Sequence, residues 1–361
     1  MVFNPLAASL DASSATLEEL TEATRKGQVL PERLGEMATV DVGQTPAEVV
    51  YEENKLELLH YEARTEAQHD VPMLVVWSLI NRPYILDLQP DRSVVRRLLE
   101  GGHDVYMIRW NEPSRLDQHL GMADYVDRYI ANCIDAIRED SGTEAVNLVG
   151  YCIGGALTAM YAARNPEKAN TLGQIAGTLC FEGEGGVLEL WGNDAYFDPE
   201  SIVAVGGNVP ADLLAEMFEL MDPVQNKVTK YVSLYERLED EAFVANFARM
   251  ERWLDEGVDV AGRTYVEFME SVYQDNRLVR NELDLDGEAV DVGNIDMPVL
   301  QIVGEYDDLV PAAASIPFND AVGSDETDVI EFPTGHIGIS VSSSAHEEYW
   351  PRVAAWFAEH S

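Results

Sequence analysis

Short apolar runs recur along the chain at Met73–Trp77, 104–109, Val146–Val149, from Leu172, at Pro298–Val303 and at Asp328–Phe332. They are short and alternate little, the pattern of strands covered on both faces. Between them apolar residues return at helical spacing: Val94, Val95, Leu98 and Leu99 within 92–100; Val126, Ile130, Cys133, Ile134 and Ile137 within 122–139; Ala156 and its successors; and Tyr349, Val353, Trp356 and Phe357 within 345–359. On the last of these helices His346 falls on the polar side. Strands alternating with helices in this way predict an α/β chain with a mostly parallel, doubly wound sheet. Val49–Tyr51 and Leu56–Tyr61, parted by the polar residues 52–55, predict a hairpin leading into it.

From about Phe181 to Leu285 the alternation stops and long amphipathic helices take over, as in Pro210–Met221. An insertion between two sheet strands is expected to cap the catalytic face. Aromatic residues are spread through it, and Tyr231, Tyr235, Phe243, Phe247, Trp253, Tyr265, Phe268 and Tyr273 mostly read as core. The expected organisation is an N-terminal helical segment at 1–45, capped at Ser14 or Thr16, then a first core part at 46–182. The helical cap follows at 183–290 and a second core part at 291–361.

The candidate chemistry sits where the run Val146–Val149 gives way to the helix beginning near Ala156. Gly150-Tyr151-Cys152-Ile153-Gly154 is a G-x-C-x-G form of the strained strand-to-helix turn that presents a nucleophile. Strand and helix backbones pass so close there that the residues two positions either side must be small. Gly150 and Gly154 meet that demand, and Cys152 is placed at a helix N-terminus that favours a thiolate. Two further loops follow later runs. Gly304–Pro311 puts Asp307 at the end of one strand, with Asp308 as a rival acid one residue late for the loop pattern. Pro333–Gly338 puts His336 on a glycine-flanked loop. Nucleophile, acid, histidine is the chain order of the α/β-hydrolase fold. Cys133 falls on the apolar face of its helix and Cys180 ends a strand-like run, so both read as core.

Composition narrows the setting. The chain has 361 residues and a formal net charge of −41, dispersed rather than gathered in a tail. Its only lysines are Lys26, Lys55, Lys168, Lys227 and Lys230, so Arg supplies most positive charge. Such a surface suits a cytosol with molar salt, which screens the self-repulsion, and argues against nucleic acid as a partner. Three cysteines, no metal-ligand spacing, no secretory signal and no apolar run long enough for a bilayer point to a reducing, cytosolic setting without a transmembrane segment. A cysteine in place of serine adds a chemical hint. Attack of a thiol on a thioester is nearly isoenergetic, so the acyl-enzyme keeps its reactivity for a second transfer to an alcohol. A thiol hydrolase of the dienelactone type is the alternative.

Several stretches resemble one family: Thr45–Tyr61, Ile80–Gln89, Asp104–Pro113, Gly150–Gly155 and Gly335–Ile339. Together they run through nearly the whole chain and resemble the catalytic subunit of polyhydroxyalkanoate (PHA) synthases, of the short two-subunit class III type, from a haloarchaeon. The Ile80–Gln89 block and the long insertion set the chain apart from the dienelactone-type hydrolases. The resemblance implies an acyltransferase that polymerises (R)-3-hydroxyacyl-CoA, chiefly 3-hydroxybutyryl-CoA, at the surface of cytoplasmic storage granules. It implies Cys152, Asp307 and His336 as the catalytic residues and the backbone N–H groups of Ile153 and Ile80 as the oxyanion hole. No cofactor and no metal are expected, since the CoA thioester is the substrate. A second, non-catalytic synthase subunit is expected as partner, in a homodimer or hetero-oligomer. One departure is Asp308, where many members carry His.

The dispersed acidic surface generates the first prediction. Folding and activity are expected to need molar KCl or NaCl and to fail near about 0.1 M, where the Debye length reaches about 10 Å. Circular dichroism and CoA release across a salt series measure it; full activity after dialysis to low salt would remove the halophilic reading.

Overall fold

The apolar runs become one sheet in the computed structural model, which describes residues 22–183 and 186–361. Its strands are β1 (Ala47–Glu53), β2 (Leu56–Tyr61), β3 (Met73–Val76), β4 (Val105–Trp110), β5 (Val146–Tyr151), β6 (Ala169–Ile175), β7 (Val299–Gly304) and β8 (Thr327–Phe332). Their spatial order is β1-β2-β4-β3-β5-β6-β7-β8. β1 pairs antiparallel with β2, and β2 with β4; every other neighbour is parallel. The expected hairpin is therefore β1 and β2, turning at Asn54, whose φ of 49° is a backbone state that Asn tolerates well.

The central parallel strands carry the least alternation because both faces are covered, whereas the edge strand β8 buries only Ile330 and Phe332. Every residue of β3, β5 and β7 is buried, and each fully buried Val or Leu contributes about 1.5–3 kcal/mol. The helix Ala131–Ser141 continues one beginning at Asp124 and buries Val126, Ile130, Cys133, Ile134 and Ile137, the face its spacing predicts. It stops at Gly142, whose φ of 75° closes the last turn. At the C-terminus, Trp350–Glu359 lays Phe357 against Gly173 of β6, where an added Cβ would come within 2.6 Å of the ring. His346 departs from expectation. It is buried, not on a polar face, because Nε2 meets the main-chain oxygen of Ser340 at 2.7 Å. Burial pushes its imidazole down to about 4, so it is neutral in the fold.

By internal contacts the chain forms two compact units. The larger comprises Val42–Ala215 and Glu256–Ser361 and holds the whole sheet. The smaller comprises the described residues up to Asp41 together with Glu216–Asp255. The stretch 183–290, expected as one cap, is thus shared: 216–255 belongs to the smaller unit and the remainder to the larger. Within the smaller unit residues 22–37 are helical, as are Lys230–Glu236 and Glu241–Asp255. The proposed caps at Ser14 and Thr16 lie outside the described residues. This unit is tied by its few cations. Arg33, almost fully buried, bridges Glu36 at 2.6 Å and Glu241 at 2.8 Å. Lys26 lies over the Tyr235 ring at 4.7 Å, and Arg252 and Arg249 donate to the carbonyls of Val40 and Asp41, each at 2.9 Å. Tyr231 and Tyr235 are exposed, unlike Phe247, Trp253, Tyr265, Phe268 and Tyr273, which are buried.

Two glycines give a stability test. An added Cβ at Gly154 would sit 2.2 Å from the carbonyl oxygen of Val76, a backbone atom that cannot swing aside. Gly27, in the helix 22–37, has nothing within 4 Å. Gly154→Ala is expected to destabilise by about 3 kcal/mol or more, and Gly27→Ala to stabilise by up to about 1 kcal/mol, both read from urea midpoints in molar salt.

Candidate active site

Parallel strands send their carboxyl ends to one edge of the sheet, and the chemistry collects there. β5 ends in Tyr151, and Cys152 follows as the cap of the helix Ile153–Arg164. The Cys152 backbone has φ 54° and ψ −118°, a state that side-chain-bearing residues rarely adopt. Its surroundings enforce it. The Cys152 N–H donates to the Ile175 carbonyl at 2.9 Å, and its own carbonyl accepts from the N–H groups of Gly155 at 2.9 Å and Thr178 at 3.3 Å. The Thr178 hydroxyl adds a bond to the same carbonyl at 3.2 Å. Close backbone approach explains the flanking glycines: a Cβ on Gly150 would lie 2.5 Å from the Gly154 carbonyl oxygen and from the Gly155 Cα.

The other two candidates meet on the loops after β7 and β8. These loops are joined by backbone bonds from Glu305 N to Phe332 O (2.8 Å) and Tyr306 N to Thr334 O (3.1 Å). Asp307, its side chain fully buried, uses Oδ1 to accept from the Leu309 and Val310 N–H groups at 3.0 and 2.8 Å. That leaves Oδ2 for His336 Nδ1, 2.7 Å away. Burial alone would depress the His336 imidazole, but the Asp307 charge and hydrogen bond, joined by Cys152, override it and push its pKa up to about 10. Asp307 and Cys152 thus act on the same ring. Asp308, the rival acid, is exposed, and its carbonyl accepts from Val187 N at 3.3 Å.

The remaining cysteines lie in a different environment. Cys133 is wholly buried, and burial raises its thiol far above the usual range. Cys180 is buried too, its thiol pushed up to about 12 by burial and by Glu182. Of the oxyanion candidates, Ile153 is the first helical residue, so its N–H has no acceptor within the helix. The Ile80 N–H donates to Ser78 Oγ at 3.3 Å, and its carbonyl accepts from the Trp77 indole at 3.0 Å. Sequence reasoning missed Thr178 and Tyr151. Thr178 carries no motif, and its role exists only because the chain turns back beneath Cys152 after β6. Tyr151 occupies the free position of the G-x-C-x-G pattern, which says where it stands but not what its hydroxyl reaches.

The comparisons with known proteins fit this geometry. Residues 92–342 match a family model described as the alpha/beta hydrolase fold, and residues 15–98 match one described as the N-terminus of poly-beta-hydroxybutyrate polymerase (PhaC). The poly(3-hydroxyalkanoate) polymerase subunit PhaC of Haloarcula marismortui is 60% identical, over 99% of this chain and 77% of that protein. The chain belongs to the PhaC family. The PhaC of Allochromatium vinosum is 38% identical over 95% of this chain and 96% of its own. Among solved structures, a Sulfolobus solfataricus protein assigned to the lipases superposes with a TM-score of 0.53 at 15% identity, covering 88% of this chain and 99% of that one. That likeness shows the fold alone. As a PhaC, the chain is an enzyme, an acyltransferase.

The raised His336 pKa makes a pH prediction. A base whose folded pKa lies above its unfolded value, about 6.5, stabilises the fold fully below that value and loses the contribution as pH rises towards about 10. Unfolding midpoints should therefore fall between about pH 7 and 10, and His336→Gln should flatten that slope. An unchanged slope in the variant would show that the imidazole is not held charged by Asp307.

Proposed function

We propose that this PhaC is the catalytic subunit of a poly(3-hydroxyalkanoate) polymerase that joins (R)-3-hydroxyacyl groups, chiefly 3-hydroxybutyryl, from CoA thioesters into polyester through a thioester on Cys152. The observation that carries the reading is the Asp307–His336 pair at 2.7 Å acting on the thiol of a strained elbow. His336 holds the Cys152 proton as an imidazolium stabilised by Asp307, Sγ bonds to the acyl carbon as the thiolate, and the carbon–sulfur bond to CoA breaks. The proton leaves with CoA. The backbone N–H groups of Ile153 and Ile80 stabilise the oxyanion, Ile80 exchanging its long bond to Ser78 for a charged acceptor. For elongation the 3-hydroxyl of the next unit attacks the Cys152 thioester, an oxygen ester forms as the acyl carbon–Sγ bond breaks, and the hydroxyl proton returns through His336 to Sγ. Asp307 assists that deprotonation, directly or through His336.

No cofactor enters this scheme. The subunit naming of the relatives supports a second, non-catalytic subunit as partner, and the family supports assembly as a homodimer or hetero-oligomer at the surface of a storage granule. Among the described residues no helix is long and apolar enough to cross a membrane.

Two sets of variants test the scheme. Cys152→Ala is expected to abolish CoA release from 3-hydroxybutyryl-CoA in molar salt. Cys133→Ala and Cys180→Ala should retain the chemistry and change stability by a few kcal/mol at most. Loss of acylation in a folded Cys133→Ala protein would move the nucleophile elsewhere. The second set separates the two half-reactions. A thiol is acidic enough for His336 alone to ionise it, whereas an alcohol needs a positioned base, typically worth about 100- to 10,000-fold. Asp307→Asn should load one acyl group but elongate about 100-fold or more slowly, and His336→Ala should lose both steps. Single-turnover labelling set against polymer formation reads this; equal losses in both phases would confine Asp307 to orienting His336.

A further inference from the structure

Tyr151 stands between Gly150 and Cys152 and is completely buried. A buried phenol calls for a partner, and its hydroxyl donates to the main-chain carbonyl of His336 at 2.6 Å. The residue immediately before the nucleophile therefore grips the backbone of the residue that carries the base. Its ring also meets the His336 imidazole edge-on, with centroids 5.5 Å apart and planes at 89°. The same ring packs on Trp77, centroids 4.6 Å apart. The Trp77 indole in turn donates to the Ile80 carbonyl at 3.0 Å, while its carbonyl accepts from the Trp110 indole at 3.1 Å.

Asp307 cannot do this work. Its bond to Nδ1 sets the direction of the imidazole, but Asp307 stands on the loop after β7. The separation of imidazole and sulfur depends on where the His336 backbone lies relative to the end of β5. Tyr151 supplies that link, with one peptide bond between it and Cys152 and a direct bond to His336.

We infer that Tyr151 is a positioning residue for acyl transfer: its hydroxyl holds His336 at proton-transfer distance from Cys152, and its ring, through Trp77, holds Ile80 and the loop after β3 that carries it in place. The inference rests on the roles proposed above for Cys152 and His336. Tyr151 cannot touch substrate, because no part of it is exposed, so its effect belongs in the rate of the chemical step and not in substrate binding.

The test is single-turnover loading of 3-hydroxybutyryl-CoA and alkylation of Cys152 by iodoacetamide, both in molar KCl. Alkylation needs the base but no oxyanion donor. Tyr151→Phe keeps the ring and removes only the hydroxyl. Its loading rate at saturation should fall about 10- to 100-fold, the cost of a misplacement of order 1 Å, with the half-saturating concentration unchanged. Its alkylation should slow at neutral pH and recover in strong alkali, where the base is no longer needed; a general loss of structure would not produce that pH dependence. Trp77→Phe, which keeps an aromatic ring against Tyr151 but loses the donor to Ile80, should slow loading and leave alkylation unchanged. Wild-type loading and alkylation profiles in a folded Tyr151→Phe protein would overturn the inference. If that variant does not fold, Trp77→Phe decides, and wild-type loading there overturns it. CoA release persisting in Cys152→Ala would be a different failure, that of the nucleophile itself.

Discussion

A side chain at φ 54° and ψ −118° is costly wherever it occurs, and Cys152 is held there because its N–H and carbonyl are both committed, to Ile175 on one side and to Gly155 and Thr178 on the other. Much of the surrounding structure follows from that commitment. Gly150 and Gly154 are small because the helix after the nucleophile lies against β5 and against the end of β3. Ala176, just past β6, takes a φ of 44° as the chain turns to bring Thr178 under the Cys152 carbonyl. The strain is thus shared between neighbouring strand ends, and the sheet supplies the rigidity that keeps the thiol exposed to the imidazole and not relaxed into the turn.

What could be read from the sequence was what local pattern dictates. The central parallel strands are covered on both faces, so Met73–Val76 and Val146–Val149 announce themselves as apolar runs, and the candidate nucleophile, acid and base stand at turns and loops whose glycines are demanded by backbone approach. His346 shows where pattern fails. It lies on the polar side by helical spacing, yet the chain before Trp350 folds so that Ser340 offers its carbonyl, and one good acceptor makes a neutral imidazole tolerable in the core. The division of 183–290 was also out of reach. Amphipathic helices in that stretch look alike in periodicity, and which of them belongs with residues up to Asp41 depends on Arg33 and Lys26 finding Glu241 and Tyr235 far along the chain. Tyr151 was hidden for a similar reason: the motif leaves its position free, and its partner is a main-chain atom 185 residues away.

Three cysteines in one chain also show that residue type alone carries no reactivity. Cys133 and Cys180 sit where burial opposes ionisation, and the charge each one feels is a carboxylate, Glu53 for the first and Glu182 for the second, which opposes it further. Cys152 instead caps a helix N-terminus and shares its surroundings with a His336 held positive by Asp307. All three side chains are buried, so what sets Cys152 apart is the sign of the neighbouring charge, a His336 held positive where Cys133 and Cys180 face carboxylates.

That contrast bears on how an acidic protein can work in concentrated salt. At about 1 M the Debye length is about 3 Å, so exposed ion pairs lose most of their attraction while the excess carboxylates lose their repulsion. Arg277–Asp275 and Lys227–Glu219, each about half exposed, belong to that screened population. The Asp307–His336 pair does not. Its side chains are 0% and 9% exposed and 2.7 Å apart, which leaves no room for a screening ion between them. Salt can then act on the surface without touching the proton chemistry. Any dependence of the reaction on ionic strength must enter through folding, through assembly or through the charged CoA tail, and not through the strength of the base.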